Sequence, residues 1–135
     1  MNQIIGILDS YAYQTLVWDI YVERGARPTR SSESGAPGAA ADEQKIAGAL
    51  PKAEICLSAL ADLMGDAPWL AGAAITFADL HAAPIIAVFR LAPVGANLLD
   101  HKTALLEWWE RAGMRPSFLR TQAPRRHESY SAGAI

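Results

Sequence analysis

The feature that most constrains the fold is a long apolar segment, residues 71–94, rich in alanine and branched aliphatic residues. From residue 77 to about residue 91, apolar side chains would occupy nearly every side of a helix, which predicts a central helix enclosed by others. Asp79, His81, Arg90 and two prolines interrupt the segment, and these interruptions favour a buried helix over a membrane span. The chain is therefore predicted to fold around this helix, with a kink at Pro84.

The start of this central helix carries a motif for helix initiation. Thr76 and Asp79 form a capping box, in which the Thr76 hydroxyl accepts from the N–H of Asp79 and the Asp79 carboxylate accepts from the N–H of Thr76. Ile75 and Leu80 flank these residues at the spacing of a hydrophobic staple. We interpret all four residues as structural, and a catalytic carboxylate at Asp79 is the alternative.

Helical periodicity describes most of the remaining chain up to residue 121. Residues 2–23 are predicted as one α-helix with an inward stripe that includes Ile4, Leu8, Tyr11, Trp18 and Val22. Residues 42–64 are predicted as a second helix, bent near Pro51 and closed by Gly65 as its C-cap. A short turn is expected at residues 96–100, after the breakers Pro93 and Gly95. A fourth main helix is expected at residues 103–113, and a last short helix from residue 116.

No segment alternates apolar and polar residues in the manner of a strand, so the predicted fold class is all-α, a helical bundle. The sequence has 135 residues, which suits a single domain, and we assign it to residues 1–121. Residues 25–41 read as a flexible loop by composition, and residues 122–135 as a mobile tail.

Composition excludes several classes of function. The net charge of −2 and the absence of a basic stripe argue against nucleic acid as a partner. A single cysteine, Cys56, forbids an internal disulfide, and Asp9 interrupts the N-terminal apolar stretch where a signal peptide would lie. These features predict a cytoplasmic protein that neither spans nor binds a membrane.

Catalytic and metal-binding residues are not evident. Cys56 lies among aliphatic residues with no basic neighbour to activate it, which favours a core position. Asp79 and His81 are two residues apart and would point to different faces of a helix, so a metal site there is not expected. His101 and His127 have no ligand-spaced partners. We therefore predict no catalytic residue and no metal site.

Four segments in order carry a family resemblance. ITFADLHAAP resembles the start of the central helix in the C-terminal domain of cytosolic glutathione transferases. PWLAG resembles the turn before that helix, and LLEWWERAGMRPSF resembles the closing helix and its arginine-proline-serine step. IIGILDSYAY resembles the first helix of the domain, particularly in bacterial members. The resemblance covers residues 1–121.

This resemblance implies one half of a two-domain enzyme. The family carries an N-terminal thioredoxin-like domain that binds glutathione and activates its thiol, and this sequence has no βαβ pattern. In a complete enzyme the helical domain would hold an electrophile beside the glutathione thiolate. The chain by itself is expected to be inactive and to bind no cofactor tightly. Glutathione would be a co-substrate only if the missing domain is supplied.

The resemblance also suggests a substrate surface and a partner. Family members line their substrate pocket partly from the first helix, where Asp9, Tyr11 and Tyr13 are our predicted wall residues. Packing within the bundle is the simpler interpretation of these aromatic residues. A homodimer through the first two helices is the expected assembly. The alternative function is a non-catalytic interaction or scaffold module of the same superfamily.

Overall fold

The computed structural model of the chain describes residues 2–26 and 43–121. Its elements are α1 (Asn2–Ile7), a π-helix (Leu8–Ala26), α2 (Glu43–Met64), α3 (Phe77–Phe89), α4 (Pro93–Asp100), α5 (Thr103–Gly113) and α6 (Pro116–Thr121). The described residues form no strand, and an isolated bridge between Trp69 and Gly72 is their one β-type pairing. The all-α prediction is confirmed.

The first helix differs from the prediction in its winding. Helix α1 continues directly into the π-helix, whose hydrogen bonds join residues five apart instead of four. The buried side chains recur every four residues and are mainly aliphatic: Ile4, Leu8, Ala12, Leu16 and Ile20. The predicted stripe assumed the tighter α-helical period, which is the physical reason why part of it is wrong.

The aromatic part of the predicted stripe lies on the surface. Tyr11 is 64% exposed and Trp18 is 46% exposed, so neither belongs to the core. The first helix thus has two apolar faces. Its aliphatic face packs against α2 and α3, and its aromatic residues face outward.

The bounds of helix α2, Glu43–Met64, match the predicted ones to within one residue. It runs through Pro51 without a break, and its buried face includes Ile46, Ala53, Leu57 and Leu60. Gly65 follows the last helical residue with φ of 57°, and its N–H donates to the Ala61 carbonyl at 3.0 Å. This left-handed cap satisfies one carbonyl at the helix end and favours glycine at that position.

Helix α3 lies at the centre of the bundle, between the first helix and α5. It continues through Pro84 and ends at Phe89, two residues before the predicted end. The prediction of a fully enclosed helix is wrong at its N-terminal end, where Phe77 is 59% and Leu80 is 57% exposed.

Helix α4 begins earlier than predicted, because Pro93 initiates it. Proline at the first helical position loses no hydrogen bond and has a suitable φ angle, so it is favourable there. Gly95 is needed for a different reason: a Cβ atom at this position would lie 2.1 Å from the Phe89 carbonyl oxygen. Glycine therefore lets α4 pack directly on the end of α3.

Helix α5 has the predicted bounds, Thr103–Gly113, and the four side chains predicted to face inward are buried: Leu105, Trp108, Trp109 and Ala112. Trp109 also packs edge-on against Phe118 of α6. The predicted loop, residues 25–41, is wrong at residues 25 and 26, which belong to the π-helix, and its remainder lies outside the described residues, as does the predicted tail, residues 122–135. Among the described helices, none has the length and hydropathy to cross a membrane.

Two glycines provide a matched test of this packing. Gly95→Ala should lower the free energy of unfolding by about 1–3 kcal/mol, because the new methyl group forces α4 away from α3. Gly48→Ala should raise it by about 0.5–1 kcal/mol, because Gly48 lies inside α2 with nothing near its missing Cβ. Urea unfolding of both variants checks the pair, and equal changes of either sign would contradict the close contact.

Candidate functional site

The Asp79 carboxylate lies at the first turn of α3 and is only 1% exposed. Its Oδ1 accepts from the backbone N–H of Leu70 at 2.9 Å and from the indole Nε1 of Trp108 at 2.8 Å. Its Oδ2 accepts from the backbone N–H of Thr76 at 2.8 Å. One carboxylate thus joins the turn before α3, the start of α3 and the middle of α5.

Thr76 and Asp79 have the arrangement of a capping box at the start of α3, although the Thr76 hydroxyl accepts no full hydrogen bond from the helix. The carboxylate half carries most of the cap, since it has the 2.8 Å bond to the Thr76 N–H. The Thr76 hydroxyl lies 3.4 Å from Asp79 Oδ2, and the Asp79 N–H donates at 3.1 Å to the Thr76 carbonyl. With both oxygens engaged by donors, Asp79 is suited to hold structure.

The turn before α3 depends on the same carboxylate. Trp69 and Gly72 exchange two backbone hydrogen bonds, at 3.1 and 3.3 Å, and Gly72 has φ of 143°, which favours glycine. This tight turn aims the Leu70 N–H at Asp79 and buries the Leu70 side chain. From α5, Arg111 donates to the Pro68 carbonyl at 2.6 Å and holds the turn from outside.

Ile75 and Leu80, the predicted staple, both line a surface cavity of about 280 Å³. The other walls come from the middle of α3, from the end of α5 with Arg115 after it, and from α6. Leu80 remains largely exposed there, so it covers the helix start without entering the core. We retain the staple as an interpretation of its spacing.

A second polar contact joins the first helix to α3. His81 Nε2 lies 2.6 Å from Asp9 Oδ1, and the two residues are 72 positions apart in the sequence. The imidazole also stacks on Phe77, with ring centroids 5.7 Å apart and an interplanar angle of 12°. Phe77 is one helical turn before His81, so the stack and the hydrogen bond together fix the ring.

The predicted wall residues are separated by this arrangement. Asp9 lies beside His81, and Tyr13 follows Asp9 by about one turn of the same helix. Tyr11, two residues from each, lies on a different side, and both tyrosines are exposed. Asp9, Tyr11 and Tyr13 line neither the cavity beside Leu80 nor a second one beside Arg111. Among the described residues, the surface that carries Asp9, Tyr11 and Tyr13 is therefore exposed and does not form a pocket wall.

Sequence reasoning found the Thr76 N–H as a partner of Asp79 but missed Leu70 and Trp108, and it missed the partner of Asp9. A signal existed for Trp108, because a buried indole N–H requires an acceptor and Asp79 is the conspicuous acid of an apolar segment. In the sequence analysis, His81 was assessed only as a possible metal ligand together with Asp79. Its pairing with Asp9 depends on how two helices pack, which spacing within one helix cannot show.

The remaining polar candidates have structural positions. Burial raises the pKa of the Cys56 thiol, which disfavours the nucleophilic thiolate. His101 Nδ1 lies 2.7 Å from the Asn97 carbonyl oxygen, one turn earlier. The described residues contain no group of three or more potential metal ligands. His127 lies outside the described residues.

Comparison with known proteins gives a consistent result. The family model described as "Glutathione S-transferase, C-terminal domain" matches residues 11–116. The structure is similar to that of glutathione transferase F7 from Populus trichocarpa, with 22% identity, a TM-score of 0.68, and coverage of 84% of this chain and 49% of that one. It is also similar to glutathione S-transferase III in apo form, with 19% identity, a TM-score of 0.76, and coverage of 92% and 56%. The chain thus spans about half the length of both, and no curated protein sequence matches it.

The network around Asp79 generates a prediction about stability. Asp79→Ala should lower the free energy of unfolding by at least about 3 kcal/mol, because it leaves several buried N–H groups without an acceptor. Trp108→Phe should cost about 1–3 kcal/mol, and the double variant should cost less than the sum, since both remove the same bond. Urea unfolding of the three variants measures this. An unchanged unfolding midpoint for Asp79→Ala would contradict the structural role of the carboxylate.

Proposed function

Because this chain belongs to the glutathione S-transferase C-terminal domain family, we propose that it forms the substrate-side helical half of a glutathione transferase-like protein. The observation that carries this proposal is the family match over residues 11–116, together with the all-α fold. Conjugation would require a glutathione-binding half in addition to this helical domain. The chain alone is expected to be inactive towards glutathione.

Asp9 and Tyr13 are the proposed wall for the electrophile, with Tyr11 as the weaker third member. The support is their placement on an open surface of the first helix beside α3. The hydrogen bond to His81 holds the Asp9 carboxylate, and the stack on Phe77 adds an exposed aromatic face to the same region. A surface with one fixed carboxylate and three aromatic rings, those of Tyr11, Tyr13 and Phe77, is suited to an electron-poor substrate.

The chemical contribution of this wall would be positioning. A glutathione thiolate attacks an electrophilic carbon, and the rate depends on how often the two reactants meet in the right geometry. A rigid aromatic surface on a well-packed helix lowers the entropic cost of that encounter. The proposed role of the wall residues is positioning alone, and we assign none of them to activation of the thiol.

We also propose that two copies associate through the first helix and α2. The support is a set of exposed apolar side chains on these two packed helices: Tyr11, Trp18, Ile55 and Leu63. Large apolar surface on a water-exposed helix pair favours burial against a partner. A second copy of the same chain is the simplest partner, and it would form a symmetric contact.

The same exposed residues support the alternative function, a non-catalytic interaction module of the superfamily. In that case the wall region would bind protein instead of an electrophile. Glutathione-dependent turnover distinguishes the two functions, because only the transferase role predicts it when a glutathione-binding half is present.

The transferase role can be tested with a chimera. This chain would be joined to the part of the Populus transferase that lies outside their match, and conjugation of glutathione to chlorodinitrobenzene would be followed. Tyr13→Ala should raise KM for the electrophile roughly tenfold without changing KM for glutathione, because it removes an aromatic contact to one substrate only. Met114→Ala, at an exposed position after α5, is the matched control. An active chimera indifferent to Tyr13→Ala would rule out the wall.

Association is tested on the chain itself by sedimentation equilibrium. The unaltered chain should be dimeric at micromolar concentration, and Trp18→Glu should shift it towards monomer, because a charge would be buried in the contact. Met114→Glu places the same charge at an exposed apolar residue on α5's end and should leave the dimer intact. A monomer at high concentration would contradict the proposal.

A further inference from the structure

The cavity of about 280 Å³ between α3 and α6 has walls of two different kinds. One side is apolar and comes mainly from α3, with Phe118 of α6 opposite. The other side is polar and consists of Arg115, Ser117 and Thr121. We propose that this cavity binds a small apolar carboxylate, with the hydrocarbon against α3 and the carboxylate on Arg115.

The charge of the lining favours an anion. Arg115 is the one cationic residue in it, and Asp79 is the one acidic residue. Asp79 is buried and its oxygens accept from Leu70, Thr76 and Trp108, so it presents little free acceptor capacity to the cavity. Within residues 2–26 and 43–121, Arg115 forms no ion pair. The accessible charge of the lining is therefore positive.

Arg115 is also held in place for this role. Its backbone N–H donates to the Ala112 carbonyl at 3.3 Å, and its carbonyl accepts from Leu119 at 3.0 Å. Its guanidinium lies 5.9 Å from the centroid of the Trp69 ring, a cation–π arrangement that occupies one face of the group. The N–H donors at the edge of a guanidinium remain available, and they match the two oxygens of a carboxylate.

The size and the apolar wall limit the ligand. Sites for drug-sized ligands measure roughly 300–1,000 Å³, and this cavity, at about 280 Å³, lies just below that range. The wall of Ile75, Leu80, Ala83 and Pro84 is aliphatic, and Phe118 adds one aromatic ring. A flat carboxylate with one or two fused rings fits these limits, and naphthoate is a suitable probe.

The test measures naphthoate binding to the unaltered chain by calorimetry, with neutral naphthamide as the matched probe. The chain should bind naphthoate more tightly than naphthamide. Arg115→Gln should weaken naphthoate binding about tenfold and remove this preference, because a charge-assisted pair is lost. Arg115→Lys should keep part of the preference. Arg120→Gln removes a charge of the same sign from α6, at a residue that does not line the cavity, and should have no effect.

Leu80→Ala supplies an independent check of the apolar wall, since Leu80 is exposed and the variant should still fold. It should weaken both probes by a similar factor. Circular dichroism confirms that each variant is folded. Equal binding of the two probes, or naphthoate binding unaffected by Arg115→Gln, would overturn the proposal. Because no turnover is measured, this outcome is separate from that of the transferase chimera.

Discussion

The hydrogen bonds to the Asp79 carboxylate are the interaction on which the rest of the structure depends. They hold together a turn, the start of the central helix and a tryptophan of α5, three segments that spacing alone would leave independent. Burying a carboxylate is costly unless its oxygens are satisfied, and here the oxygens accept from three buried or half-buried N–H groups. Without these donors the buried Asp79 carboxylate would destabilise the core, and with them it holds the three segments of the core together.

The position of α3 then determines the surface around it. Once Asp79 fixes the inner side of the first turn, His81 is directed to the opposite side, towards Asp9 of the first helix. Phe77 and Leu80 are left on the outer surface. The core and the open region are therefore two sides of one helical turn, which explains why apolar residues beside a buried anchor can remain exposed.

The fold could be predicted well from sequence where local signals agree with packing. The bounds of α5, the left-handed cap at Gly65 and the capping pair Thr76 and Asp79 all follow from rules that concern neighbours in the chain.

The first helix is harder to predict, because it has two apolar faces and its winding decides which one is buried. Gly95 is not the helix breaker that its residue type suggests, since its role depends on the distant Phe89 carbonyl. The Asp9–His81 contact is likewise a product of packing between helices. The wall residues stay a prediction, because they rest on a resemblance.

The buried thiol of Cys56 allows the opening of this bundle to be measured. It lies in the middle of α2 within the hydrophobic core, and burial keeps it in the unreactive protonated form. A thiol reagent reaches it when α2 separates from its neighbours. The rate of thiol modification therefore reports how often this opening occurs. Comparing that rate with the global unfolding rate distinguishes a helix that detaches alone from a bundle that opens as one cooperative unit.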